Sequence, residues 1–191
     1  MGATSVETQL SSDFMQLESR IAALEEQVAN APDPNRLNLV VFSGERDKLL
    51  AAFNMATAAA ACGCETTLFF TFWAAPVLRD ANAPAKKKSI IERMFGWMLP
   101  LGVSETSLSK MEFAGIGRKM MTNEMKKKGI ADIDELLELA RELGVKILVC
   151  DVSMKLMGIH PDELIDYPGL DFCGAATFLE LSSRANTTMF I

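Results

Sequence analysis

The stretch Val145-Lys146-Ile147-Leu148-Val149-Cys150-Asp151-Val152-Ser153-Met154-Lys155-Leu156-Met157-Gly158 decides the fold. Its first five residues read as a strand that ends directly on Cys150. The next residues predict a short helix, capped by Asp151 or Ser153 and closed by Gly158. Just upstream, Ile133 to Leu143 predicts a helix opened by the Asp132/Glu135 capping box and stopped at Gly144. Helix, strand and helix in such close succession point to an α/β domain.

Working outward, Leu37 to Phe42 reads as a strand bounded by Ser43-Gly44, followed by a helix from Asp47 to Ala61 that Gly63 ends. Thr66 to Phe72 is a second strand. Leu170 to Phe172 is a short strand, Ala175 to Arg184 a helix, and Thr187 to Ile191 a terminal strand. The expectation is an α/β fold with a mostly parallel five-stranded sheet and helices on both faces. Between about residues 73 and 128 the alternation breaks down, with Pro76, Pro84, Pro100 and the run Lys86-Lys87-Lys88. Apolar pieces such as Ile90 to Leu99 suggest two short helices forming a lid or an oligomer surface.

Residues 1–35 read as a separate N-terminal unit and 36–191 as the α/β domain. Phe14, Leu17, Ile21, Leu24 and Val28 recur in steps of three and four, the seam of a short coiled coil. Ser12 or Asp13 would cap its start. A helix of little more than two heptads is marginal alone, which favours pairing with other copies. Pro32-Asp33-Pro34-Asn35 would break the helix and act as a linker.

A formal charge of −6 argues against nucleic acid, since phosphate binding needs a surplus of cations on one face. No basic start followed by an apolar region precedes the coiled coil, so a cytoplasmic, reducing setting is expected. There the four cysteines are thiols rather than disulfide partners. The longest apolar run, Thr66 to Leu78, falls short of the roughly twenty residues that span a bilayer, leaving only a peripheral membrane contact open.

Cys150 sits where α/β sheets gather their reactive groups, beyond the carboxyl end of a strand. A sulfur at a helix start meets free N–H groups that favour thiolate, the form that attacks sulfur. Asp151 opposes this if its carboxylate faces the sulfur. The competing reading makes Cys150 a small buried apolar residue.

Other features carry less chemistry. Cys62-Gly63-Cys64 lacks the second pair a structural zinc site needs, so no metal is expected. Gly115-x-Gly117 with Lys119 is a fragment of a phosphate loop that does not follow a strand. Its alternatives are anion-holding N–H groups near Cys150 or a tight packing turn. His160 reads as a surface cap, with tuning of the thiol as the functional alternative. Met94, Met98, Met111, Met120, Met121, Met125, Met154 and Met157 would line a soft, polarisable pocket or pack a core. Phe69, Phe70, Phe72, Trp73, Phe95 and Trp97 could form an apolar patch.

Four segments in order resemble the larger members of the DsrE-like family, in the DsrE/DsrF/DsrH superfamily. They are Val145–Cys150 with Ser153-Met154 and Leu156-Met157-Gly158, Asn38–Gly44, Gly115–Met121, and Phe172–Leu179. The resemblance covers about Leu37 to Ile191. It implies a flavodoxin-like three-layer core, an oligomer, and sulfane-sulfur transfer beside rhodanese-type and TusA-type donor and acceptor proteins. The family's conserved cysteine falls on Cys150. Cys173 stands where the family usually has a small residue without a thiol. The expected function is a sulfurtransferase-like carrier holding a persulfide on Cys150, with no cofactor. A non-catalytic, oligomeric or membrane-associated adaptor is the alternative, and a nucleotide binder a third reading without a phosphate loop to support it.

Overall fold

The computed structural model describes residues 3–83, 100, 102–110 and 116–191. Residues Met1–Asp33 and Pro34–Ile191 form separate compact units. In the first, helix α1 runs over Ala3–Asn30. Ser12 and Asp13 therefore lie inside the helix rather than at its cap, because no Gly or Pro interrupts the chain between Ala3 and Ser12. The stripe Phe14, Leu17, Ile21, Leu24 and Val28 is exposed along its length.

The second unit begins its sheet early. β1 covers Asp33–Val41, so the expected linker is largely strand. Pro34 is tolerated because pairing with β2 (Glu65–Phe70) starts only at Arg36↔Glu65, beyond the missing N–H. β3 is Lys146–Cys150, β4 Leu170–Cys173 and β5 Ala185–Phe190. The five strands stand in the order β4-β3-β2-β1-β5. β1–β2, β2–β3 and β3–β4 pair in parallel. Ile191 donates to Val40 and accepts from Phe42, the offset of a parallel pair, so the fifth strand follows suit.

The strands alternate their side chains between two cores. Leu39, Val41, Leu68, Phe70, Ile147 and Val149 face α2 (Arg46–Ala61) and α4 (Ile133–Glu142), which contribute Leu49, Phe53, Ile133 and Ala140. Phe53 and Phe70, both fully buried, meet at 6.1 Å between ring centres. Emptying either position costs about 3–5 kcal/mol. Val40, Phe69, Leu148 and Cys150 face the other way, under α6 (Ala175–Ser183), where Phe178 stacks on Phe69 at 4.3 Å. Helices thus cover both faces of the sheet.

α2 and α4 are fastened by a buried ion pair. Arg46, 3% exposed, donates to the Asp132 carboxylate at 2.5 Å. The expected Asp132/Glu135 capping box is present, so Asp132 serves both partners. Gly63 and Gly144 end their helices in the left-handed region, as a residue without Cβ permits.

In the long connection, a 3-10 segment spans Phe72–Leu78, another Val103–Glu105, and α3 spans Ile116–Lys128. The strand expected to reach Phe72 stops at Phe70. Phe72 turns to a φ of +44°, and the chain leaves the sheet there. The stretch Ile90–Leu99, Lys86–Lys88 and Gly115 lie outside the described residues.

Candidate functional site

Cys150 is the last residue of β3 and occupies the N-cap position of α5 (Asp151–Met157), with φ −67° and ψ 115°. Neither Asp151 nor Ser153 is the cap, because the extended backbone persists through Cys150 and both residues are already helical. Gly158 closes the helix with a φ of +63°, as expected.

Freed from capping, Ser153 reaches sideways to the end of β2. Its hydroxyl lies 3.1 Å from that of Thr71 and accepts the Phe72 N–H at 2.9 Å. The positive φ at Phe72 turns the chain away just past that contact, an instance of backbone strain placed beside a reactive group. Ser153 and Thr71 are both buried.

Cys150 itself is 5% exposed. Burial alone pushes its thiol up. The Ser153 hydroxyl and N–H, the Thr71 hydroxyl and the Val152 N–H pull the other way, and the balance falls below the ordinary thiol value. The groups that favour the thiolate here are neutral hydroxyl and N–H donors.

Cys173 lies beside it. The last residues of β3 and β4 are register partners, Cys150↔Cys173, and both side chains belong to the smaller core with Phe69 and Phe178. Burial, with the charges of Cys150, Asp151 and Asp171, pushes the Cys173 thiol up to about 11. Asp151 therefore acts on Cys173. One of its carboxylate oxygens is buried without a hydrogen bond, and the other stands 3.9 Å from Lys155 Nζ.

The remaining candidates are dispersed. Cys62 is exposed and Cys64 partly so, just ahead of β2. Because the strands are parallel, that is the edge of the sheet opposite Cys150. Among the described residues, no three His, Cys, Asp or Glu side chains come together as a metal site. His160 is exposed, and its N–H donates to Glu163 at 2.9 Å in a following 3-10 turn. With Asp151, Met154, Lys155 and Phe172 it lines a cavity of about 480 Å³. Met125, Met154 and Met157 belong to the main core, whereas Met120 is exposed. Met94, Met98 and Met111 lie outside the described residues. Gly117 and Lys119 open α3. Phe69 and Phe70 are buried rather than patch-forming, because their strand is central, while Phe72 and Trp73 are exposed at 41% and 45%. Phe95 and Trp97 are outside the described residues.

The sequence reading missed Thr71 and Ser153 as a pair. Each stands at the carboxyl edge of the sheet, and that position was the available signal. Among the described residues, no helix is long and apolar enough to cross a membrane.

Comparison with known proteins agrees with this architecture. The YchN protein from E. coli, a solved structure, superposes with a TM-score of 0.51 at 12% identity, covering 82% of this chain and 99% of YchN. At that identity the likeness speaks for the fold. The protein YrkE of Bacillus subtilis is 41% identical over 156 residues, 82% of this chain and 96% of YrkE. The sulfur carrier protein DsrE2 of Allochromatium vinosum is 30% identical over 167 residues, 83% of this chain and 99% of DsrE2. The model of the DsrE/DsrF/DrsH-like family matches residues 33–190, the whole of the sheet and its helices. This chain belongs to the DsrE/DsrF/DrsH-like family.

Proposed function

We propose that this protein is a sulfur carrier that takes up sulfane sulfur as a persulfide on Cys150 and hands it to a partner thiol. The observation that carries the reading is the donor set around Cys150: the Ser153 and Thr71 hydroxyls and two α5 N–H groups that favour its thiolate. Family membership and a relative named as a sulfur carrier support the same chemistry.

The reaction needs little else. Cys150 thiolate attacks the outer sulfur of a donor persulfide, and the donor thiolate leaves. The sulfur now rides as Cys150–S–SH until an acceptor thiolate attacks that same outer sulfur and releases Cys150. The two exchanges balance without any oxidant, cofactor or metal. Donors and acceptors of the rhodanese and TusA types fit this role, in a reducing compartment such as the cytoplasm. The protein is a sulfurtransferase in the sense that its cysteine turns over. The exposed stripe of α1 joins copies into an oligomer, and sedimentation velocity on Leu17→Glu/Leu24→Glu should then show a smaller particle than wild type.

Transfer is the direct test of the reading. Loaded protein, desalted and mixed with a TusA-type acceptor, should lose about 32 Da as the acceptor gains it. An acceptor that stays unmodified over several acceptor types would leave an adaptor rather than a carrier.

A further inference from the structure

Cys173 has no part in the exchange just described, yet the fold sets it directly beside Cys150. The two are register partners on adjacent parallel strands, and both side chains lie on the sheet face covered by Phe178. Neighbouring strands run about 4.8 Å apart, within the Cα separation of roughly 4.4–6.8 Å that a disulfide bridges. Each cysteine is also the last residue of its strand, where the backbone is freest to adjust.

We infer that Cys173 is a resolving thiol, which discharges sulfur left on Cys150 as hydrosulfide and leaves a Cys150–Cys173 disulfide. The inference rests on the carrier reading above. Cys173, giving up its proton as it reacts, attacks the inner sulfur of Cys150–S–SH. The S–S bond of the persulfide breaks, a Cys150–Cys173 bond forms, and the Cys173 proton leaves with the departing sulfur as hydrogen sulfide. Sulfane sulfur is reduced and the two thiols are oxidised, so no outside oxidant enters. Hydrosulfide is a better leaving group than an alkyl thiolate, which favours attack at the inner sulfur. An external dithiol then returns the pair to its reduced form by two exchanges.

The protonation order suits this division of labour. Cys173 is held protonated up to about 11 beside the Cys150 thiolate, so it does not compete for the donor. Sulfur enters at Cys150 and meets Cys173 only afterwards. The pair would limit how long an undelivered persulfide persists.

The test compares the full chain carrying Cys62→Ser and Cys64→Ser with the same chain also carrying Cys173→Ser. Both are loaded with polysulfide, desalted, and followed by intact mass and hydrogen sulfide release. With Cys173 present, the gain of about 32 Da should decay to a mass about 2 Da below the reduced protein. Hydrogen sulfide should appear, and non-reducing peptide mapping should join Cys150 to Cys173. With Cys173→Ser the added sulfur should last on the order of tenfold longer, with no joined peptide. Equal lifetimes and no joined peptide would overturn the inference. Diamide, which oxidises thiol pairs without adding sulfur, should give the same joined peptide in unloaded protein, and its absence would also overturn the pairing. Failure of both proteins to load at all would instead mark failure of the carrier reading, and this inference would fall with it.

Discussion

The hydroxyls of Thr71 and Ser153 lie 3.1 Å apart, joining the end of β2 to the first turn of α5 across the site of Cys150. Thr71 follows β2 and Ser153 follows β3, so the contact exists only because β2 and β3 are neighbours. Both hydroxyls lower the Cys150 thiol, which makes this the contact most able to control its reactivity.

Ser153→Ala should therefore weaken Cys150 as a nucleophile. It removes a hydroxyl that favours the thiolate and strands the Phe72 N–H, which Ser153 accepts at 2.9 Å. Alkylation of Cys150 near neutral pH should slow on the order of tenfold, the worth of one hydrogen bond to a charged group. Thr71→Val should act in the same direction and less strongly, as its contribution to the thiolate ranks lower. Stopped-time labelling with iodoacetamide and peptide mapping would measure both.

The two neighbouring thiols should titrate in opposite directions. Cys150 falls below and Cys173 rises to about 11 from the same ordinary value of 9.0. Labelling across pH should modify Cys150 first and Cys173 only under strongly alkaline conditions. The signs carry into stability. The Cys150 contribution is full above 9.0 and is lost as pH falls through its lowered value in the folded state. The Cys173 contribution is full below 9.0 and is lost as pH rises toward about 11. Unfolding curves of Cys150→Ser and Cys173→Ser should depart from wild type with opposite pH slopes.

Gly44→Ala should disturb the sheet's carboxyl edge. A Cβ there would stand 2.5 Å from the Trp73 carbonyl oxygen, a backbone atom that cannot swing away. Strain of this kind costs about 1–3 kcal/mol. Relief would push the Phe72–Leu78 segment off Ser153, so thermal unfolding should drop and Cys150 alkylation should slow together. A fall in stability with unchanged Cys150 reactivity would separate the two.

Arg46→Ala should be among the more damaging single changes away from the cysteine. It leaves the Asp132 carboxylate, 15% exposed, without its cation, and it unties α2 from α4. Loss of one partner from a buried pair costs about 3–5 kcal/mol, at the lower end here because Asp132 keeps its capping contacts. Urea unfolding would show it, while Cys150 labelling in the folded state should hardly change.

Much of this was legible from the sequence because it rests on local rules. The strand-forming run Val145–Val149 and the Asp132/Glu135 box each specify their structure within a few residues. Cys150 was legible for the same reason: a reactive residue at the end of a buried strand. What escaped the reading depends on contacts between distant segments. Strand order and register bring Thr71 to Ser153 and Cys173 to Cys150, and nothing local encodes either meeting. Ser153 illustrates the difference. In sequence it looks like a helix cap. In the fold, Cys150 holds the cap position and the serine hydroxyl is free to bridge to β2.

Sulfur loading tests the central claim most directly. Wild type and Cys150→Ser, each incubated with polysulfide, or with thiosulfate and a rhodanese, would be compared by intact mass. Wild type should gain about 32 Da per sulfur, reversed by reductant and absent from Cys150→Ser. Equal gain by both proteins would move the chemistry to Cys62, Cys64 or Cys173. No gain by either, over several donors, would contradict the carrier outright.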